Sequence, residues 1–195
     1  AQYIDHTLLR PDATLDDLAM ACEAAKTYRF AALVVNGWQV GRAKALLAGT
    51  GVKTCAVVGF PHGACTTTVK IVEAMEAMKN GAEELDIVVN LGMVKSGKLD
   101  LVEIDVKNVI AMTKGIVHKV IIESGALTTR EIADLCRYAG LGEGDHVGTP
   151  EAVFAELLGL PPDAHHALAG ARRCMDLYAT AVAYIESFEY GMKLR

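Results

Sequence analysis

Four apolar runs recur along this chain, each too short for a helix and too continuous for a half-exposed strand: Phe30 to Val35, Val52 to Phe60, Glu84 to Asn90 and Lys119 to Ser124. Segments of helical periodicity and short Gly-bearing connections separate them, a repeat of roughly 20–35 residues. Strands apolar on both faces belong to parallel sheets with helices packed outside, and parallel neighbours are joined by right-handed crossovers. The chain is therefore α/β, either a doubly wound sheet or a (β/α)8 TIM barrel. No G-x-G-x-x-G turn follows the early strands, and Gly59-Phe-Pro-His-Gly63 is not such a loop, which weakens the dinucleotide-binding version.

Taken in order, Ile4 to Leu8 reads as a short first strand, with Asp5 and Thr7 on one face and Ile4, His6 and Leu8 on the other; Pro11 stops it. Thr14 suits the N-cap of a helix whose apolar stripe is Leu15, Leu18, Ala19, Cys22 and Ala25. A second helix covers the region from Trp38 to Leu47, broken by Gly49-Thr-Gly51. After Pro61-His62-Gly63 comes a helix that should bury Ile71, Ala74, Met75 and Met78, turn Lys70, Glu73, Glu76 and Lys79 to water, and end at Asn80-Gly81. A loop through Gly92 and Gly97 leads to a helix from about Leu99, with Val102, Val106, Val109 and Ile110 inward. Thr128-x-x-Glu131 is a capping-box signature, opening a helix with Ile132, Leu135, Cys136 and Ala139 on its apolar side.

Beyond Gly140 the rhythm fails. Leu141 to Gly148 has no strand before it, Thr149 and Pro150 open a helix over Ala152 to Leu158, and Pro161-Pro162 is a turn. One weak strand candidate, His166 to Ala169, precedes a helix from about Arg172 with Met175, Tyr178, Val182 and Ile185 on one face. A barrel of eight units typically needs ~250 residues, and this chain has 195. A single barrel domain over residues 1–195, lacking the sixth and eighth strands and with a degenerate seventh, is the expected organisation.

The net charge of −5 argues against a nucleic-acid surface, and no apolar run approaches the ~18 residues of a membrane span. Five cysteines at irregular spacings (Cys22, Cys55, Cys65, Cys136, Cys174), with no C-x-x-C, read as free thiols in a reducing compartment. With no charged-then-apolar leader at its start, the chain is expected to be cytoplasmic. His165-His166 with Asp145-His146 matches no standard metal-ligand spacing.

Asp86 is the residue that most needs an explanation. In Glu84 to Asn90, alternation places Asp86, Val88 and Asn90 on one face and Leu85, Ile87 and Val89 on the other. A carboxylate in a buried strand is costly unless a partner or a water-filled cavity receives it. It is either a proton-transfer group inside a barrel or a structural acid paired with a lysine such as Lys119 on the next strand. Lys119, on one face with Ile121 and Glu123, is the one interior-strand lysine in the text. It is a salt-bridge partner that keeps Asp86 ionised or a fallback nucleophile. Asp5 and Thr7 orient a substrate hydroxyl or satisfy one another.

Four motifs follow in one order: Ile4-Asp-His-Thr-Leu-Leu-Arg-Pro-Asp-Ala-Thr14, Val58-Gly-Phe-Pro-His-Gly63, Gly81-Ala-Glu-Glu-Leu-Asp-Ile-Val-Val-Asn90 with Lys95-Ser-Gly97, and Lys119-Val-Ile-Ile-Glu-Ser-Gly125. Over roughly Ile4 to Gly140 the chain resembles deoxyribose-phosphate aldolase. Gly142 to Leu158 is similar to the family's segment after its sixth strand, and Leu168-Ala-Gly170 with Arg172 to a worn seventh-strand motif. The resemblance implies a (β/α)8 barrel and a metal-free, cofactor-free class I aldolase. Such an enzyme reversibly splits 2-deoxy-D-ribose 5-phosphate into acetaldehyde and D-glyceraldehyde 3-phosphate through a lysine Schiff base.

On that resemblance Asp86 matches the catalytic aspartate, Lys119 an active-site lysine of the fifth strand, and Asp5 and Thr7 the polar residues of the first. Gly170 is a candidate phosphate contact through backbone N–H groups, with a plain turn as the alternative. The family's Lys-Thr-Ser-Thr-Gly motif is absent, Ala167 stands where a seventh-strand lysine belongs, and no Gly-Thr-Ser phosphate loop follows. Either the homologue has lost these segments, or a segment is missing from the sequence between Gly140 and Leu141. The second is preferred, because deleting a central strand would open two edges onto a buried sheet. The expected partner is a small phosphorylated sugar, with no nucleic acid and no membrane; a homodimer is admitted. The rival readings are a catalytically inactive homologue serving as a binding or oligomerising scaffold, and another barrel lyase or isomerase of a phosphorylated sugar.

Overall fold

A computed structural model of the chain describes residues 4–138. The elements run β1 (Asp5–Leu8), α1 (Leu15–Tyr28), β2 (Ala32–Val35), α2 (Val40–Leu47), β3 (Lys53–Val58), α3 (Thr67–Lys79), β4 (Glu84–Val88), α4 (Leu91–Lys95), α5 (Leu99–Met112), β5 (Val117–Ile121) and α6 (Thr129–Tyr138). Among the described residues, contacts define two units, residues 4–92 with Ile104–Ile122, and Met93–Glu103 with residues 123–138. The Gly140–Leu141 junction, the Ala152 helix, the His166 strand and the helix from Arg172 lie outside the described residues, as do Ala167 and Gly170.

In the first unit all five strands form one parallel sheet in the order β1-β2-β3-β4-β5. A doubly wound sheet reverses its strand order at a switch point, whereas a barrel adds each strand beside the last. Five consecutive strands without reversal decide for the TIM-barrel fold.

Alternation divides the sheet into two faces. Leu33, Val35, Ala56, Val58, Leu85 and Ile87 turn toward the helices and pack with Leu18, Cys22, Ala25, Val40, Ala43, Ala74 and Val109. Each fully buried aliphatic of this layer contributes about 1.5–3 kcal/mol by leaving water. The opposite face carries a smaller cluster of Ala32, Val34, Cys55 and Val57, with Leu9, Phe60 and Ile121 against it.

The α1 helix starts where its cap dictates. The Thr14 hydroxyl accepts from the Asp17 N–H at 3.1 Å, and the Asp17 carboxylate accepts from the Thr14 N–H at 2.8 Å. The Thr14 hydroxyl, donating to that carboxylate at 2.7 Å, and the Thr14 N–H hold the Asp17 carboxyl below the usual range, and Arg10 ion-pairs with it. The helix stops at Arg29, in the left-handed region at φ 53°. Its buried face is Leu18, Ala21, Cys22 and Ala25; Leu15, expected inside, is 54% exposed. The capping box at Thr128 is also formed, with Glu131 accepting from the Thr128 N–H at 2.7 Å. The Lys95 ammonium and the two Thr128 bonds bring the Glu131 carboxyl down to about 2.

Two further expectations need correction. The segment after β4 is not a plain loop, because Leu91–Lys95 forms a helical turn. On α3 the buried positions are Lys70, Ala74 and Ala77, while Met75 is exposed. The face is rotated because Asp105 of α5 offers Lys70 a counter-charge.

Candidate active site

Register fixes which side chains can meet. Lys119 of β5 lies opposite Asp86 of β4, Asp86 opposite Val57 of β3, and Glu84 opposite Cys55. Parallel partners point the same way, so Asp86, Glu84 and Lys119 share the face away from the helices, with Val34, Cys55 and Val57. Asp5 and Thr7 of β1 stand on that face too, in register with Ala32 and Val34.

The Lys119 ammonium gathers three carboxylates. It donates to Asp5 Oδ2 at 2.5 Å, lies 3.0 Å from Asp86 Oδ1, and lies 3.3 Å from Glu84 Oε2. In a flat sheet β1 and β5 would stand ~19 Å apart, four spacings of about 4.8 Å. Fully extended, the Lys119 and Asp5 side chains with the 2.5 Å bond between them fall well short of that. Their contact therefore requires the sheet to curl toward closure, and the curl creates the cluster.

The electrostatics follow from burial and crowding. Asp86 is 13% exposed and Glu84 18%, whereas Asp5 and Lys119 keep about a third of their surface, at 32% and 34%. Burial alone would lower the Lys119 pKa; the Asp86 charge and the hydrogen bonds to Asp5 and Asp86 outweigh it and raise it above the ordinary lysine value. Burial, then the Asp86 charge, pushes the Cys55 thiol up, so it stays protonated. Asp86 Oδ1 is buried and meets the Lys119 ammonium at 3.0 Å as an ion pair.

Sequence reasoning paired Asp86 with Lys119, and the structure brings Asp5 to the same ammonium. Thr7 is half-buried on the same face, one alternation beyond Asp5. Glu84 was missed as a site residue, although the same alternation rule puts it beside Asp86, two positions earlier. Asn90 falls past the end of β4 at Val88.

A sequentially ordered parallel sheet with an ammonium and three carboxylates on its inner face defines a (β/α)-barrel protein with a polar centre suited to moving protons. No protein-family model matches the chain. The deoxyribose-phosphate aldolase of Geobacillus sp. (strain WCH70) is 46% identical over 150 residues, which cover 76% of this chain and 67% of the relative. The enzyme of that name from Streptococcus gordonii is 44% identical over 148 residues, with the same coverage. The chain belongs to the deoxyribose-phosphate aldolase family. Among solved structures, the tetrameric deoxyribose phosphate aldolase of Aeropyrum pernix superposes with a TM-score of 0.65 at 33% identity, over 71% of this chain and 58% of that one. An aldolase called QR15 does so with a TM-score of 0.67 at 37% identity, over 71% of this chain and 63% of that one. The chain thus spans about two thirds of its curated relatives' length, and less of those solved chains.

Proposed function

We propose that this chain, as one barrel domain over residues 1–195, carries the proton-handling half of a class I aldolase site. The reaction is reversible cleavage of 2-deoxy-D-ribose 5-phosphate to acetaldehyde and D-glyceraldehyde 3-phosphate. The observation that carries the reading is the inner-face cluster: Asp86 largely buried and ionically paired to Lys119, with Asp5 and Glu84 on the same ammonium. Opening a carbinolamine and protonating an enamine both need a group that gives and takes protons at short range, a role suited to a carboxylate in a water-poor site. Lys119 serves as the counter-charge of Asp86, and Asp5 and Thr7 orient the substrate hydroxyls. Gly170 stays in the proposal as a backbone contact for the phosphate.

Schiff-base formation needs a neutral amine, and an unperturbed lysine near 10.4 is not one at pH 7. Lys119 is shifted further from neutrality, so it supports the acid rather than attacking the substrate. The amine belongs to another lysine. A cytoplasmic location fits this reading, and among the described residues no helix is long and apolar enough to cross a membrane. The partner is the phosphorylated sugar, with a second copy of the chain as an assembly to test.

Borohydride reduction in the presence of acetaldehyde, followed by peptide mass spectrometry, tests the proposal. An ethylated lysine other than Lys119, together with acetaldehyde release from 2-deoxyribose 5-phosphate, is the expected result. One observation favours the scaffold reading: the Lys-Thr-Ser-Thr-Gly motif is absent from the sequence. No adduct and no acetaldehyde release would establish that reading instead.

A further inference from the structure

The chain buries a second ammonium that the site described above does not use. Lys70 of α3 has a side chain at 0% exposure on the helix side of the sheet, and its partner Asp105 of α5 is at 3%. The ammonium donates to Asp105 Oδ2 at 2.5 Å and to the Val88 carbonyl at 2.8 Å. A buried ion pair is weak evidence for stability, because desolvation offsets much of its attraction. Asp105 Oδ1 moreover has no hydrogen bond. The pair calls for a reason beyond holding two helices together, and its third member supplies one.

Val88 lies two residues past Asp86 and is the last residue of β4. The β3–β4 ladder closes at Val58 and Ile87, and beyond it the chain leaves the sheet through Gly59, at φ 70°, and Pro61, which has no N–H to give. The Val88 carbonyl lies one residue past the end of that ladder, and a buried carbonyl needs a donor. Lys70 supplies a charge-assisted bond, stronger than a neutral one. From the other end of the same peptide unit, the Val89 N–H donates to the Ile121 carbonyl at 3.1 Å.

The neighbouring contacts serve the same end. Glu73, one turn along α3, accepts from the Gly59 N–H at 2.7 Å. Gly59 leaves room for the lysine stem, since a Cβ there would come within 2.9 Å of Lys70 Cε. The α3 helix thus grips the exits of both β3 and β4 from behind.

We propose that Lys70 is a positioning residue: through the Val88 carbonyl it fixes the carboxyl end of β4, and with it the place of Asp86 against Lys119, while Asp105 aims its ammonium. The inference rests on the reading of Asp86 as the proton-moving group. A misplacement of about 1 Å at such a group costs ~100-fold in rate.

The test is the full chain carrying Lys70→Met with Asp105→Leu, which removes both charges at similar volume and leaves the Val88 carbonyl unheld. Three quantities are read: the thermal midpoint, the rate of Lys119 acylation by acetic anhydride followed by peptide mass spectrometry, and kcat and KM for 2-deoxyribose 5-phosphate. The expected result is a midpoint near the parent's, acylation faster by ~10-fold as the amine's pKa falls by a unit, and kcat down ~100-fold at unchanged KM. Acylation at the parent rate overturns the proposal and leaves the pair purely structural. Should the double variant not fold, Asp105→Asn carries the same comparison, with acylation faster by about threefold expected and an unchanged rate overturning it. Because acylation needs no turnover, an inactive parent would refute the aldolase reading while this comparison still decides the role of Lys70.

Discussion

Replacing Lys119 by Met would leave Asp5, Glu84 and Asp86 facing one another across a half-buried space without their cation. At 3.0 Å and an effective permittivity of ~20, each ion pair is worth about 5 kcal/mol of bare Coulomb attraction. The net figure is smaller, because Lys119 keeps 34% of its surface and is screened by water. Removing one partner of a buried pair costs about 3–5 kcal/mol, and exposed pairs are worth about 0.2–1. The cluster lies between, so Lys119→Met should cost about 2 kcal/mol at pH 7.

The pH dependence separates charge from shape. The Lys119 pKa is raised above its unfolded value of 10.5, so its contribution is fully present below that pH and is lost as pH rises toward the folded value. Urea unfolding of parent and variant at pH 7 and pH 11 should therefore give a stability gap that narrows at the higher pH. A gap as wide at pH 11 as at pH 7 would show that the loss is one of packing, and the electrostatic account of the site would be wrong.

Other consequences concern the frame. Leu18→Ala should cost about 2–5 kcal/mol, since Leu18 is wholly buried, whereas Leu15→Ala on the exposed side of α1 should stay within ~0.5 kcal/mol; equal losses by urea unfolding would mean the helix faces are assigned the wrong way round. Gly63→Ala should destabilise by about 3 kcal/mol or more, because its Cβ would sit 1.9 Å from the Val89 carbonyl oxygen and its φ is +62°. A Gly63→Ala chain melting within a degree or two of the parent would contradict that close approach.

The strands were legible because alternation and apolar runs are local properties. Their ends were not: Val52 to Phe60 shortens to Lys53–Val58, and the fifth strand shifts to Val117–Ile121, since Glu123 takes a left-handed conformation at φ 53°. The pairing of Asp86 with Lys119 was readable from adjacent strands and shared parity. The contact of Lys119 with Asp5 was not, because it arises from curl accumulated over five strands, which no short window of sequence encodes. Lys70 was misplaced for a related reason. Helical periodicity sends every charged side chain to water, and only the approach of Asp105, 35 residues later, makes its burial tolerable. Met75, expected inside, is exposed for the same cause, as the helix face turned to bring Lys70 inward.

The most direct test of the central claim, that Asp86 moves the protons, is the exchange of acetaldehyde methyl hydrogens for deuterium in D2O, followed by proton NMR with the parent chain and with Asp86→Asn. The account predicts exchange with the parent and a loss of about 100-fold or more in the variant, while borohydride still traps acetaldehyde on the lysine of both. Exchange by Asp86→Asn at the parent's rate would contradict it.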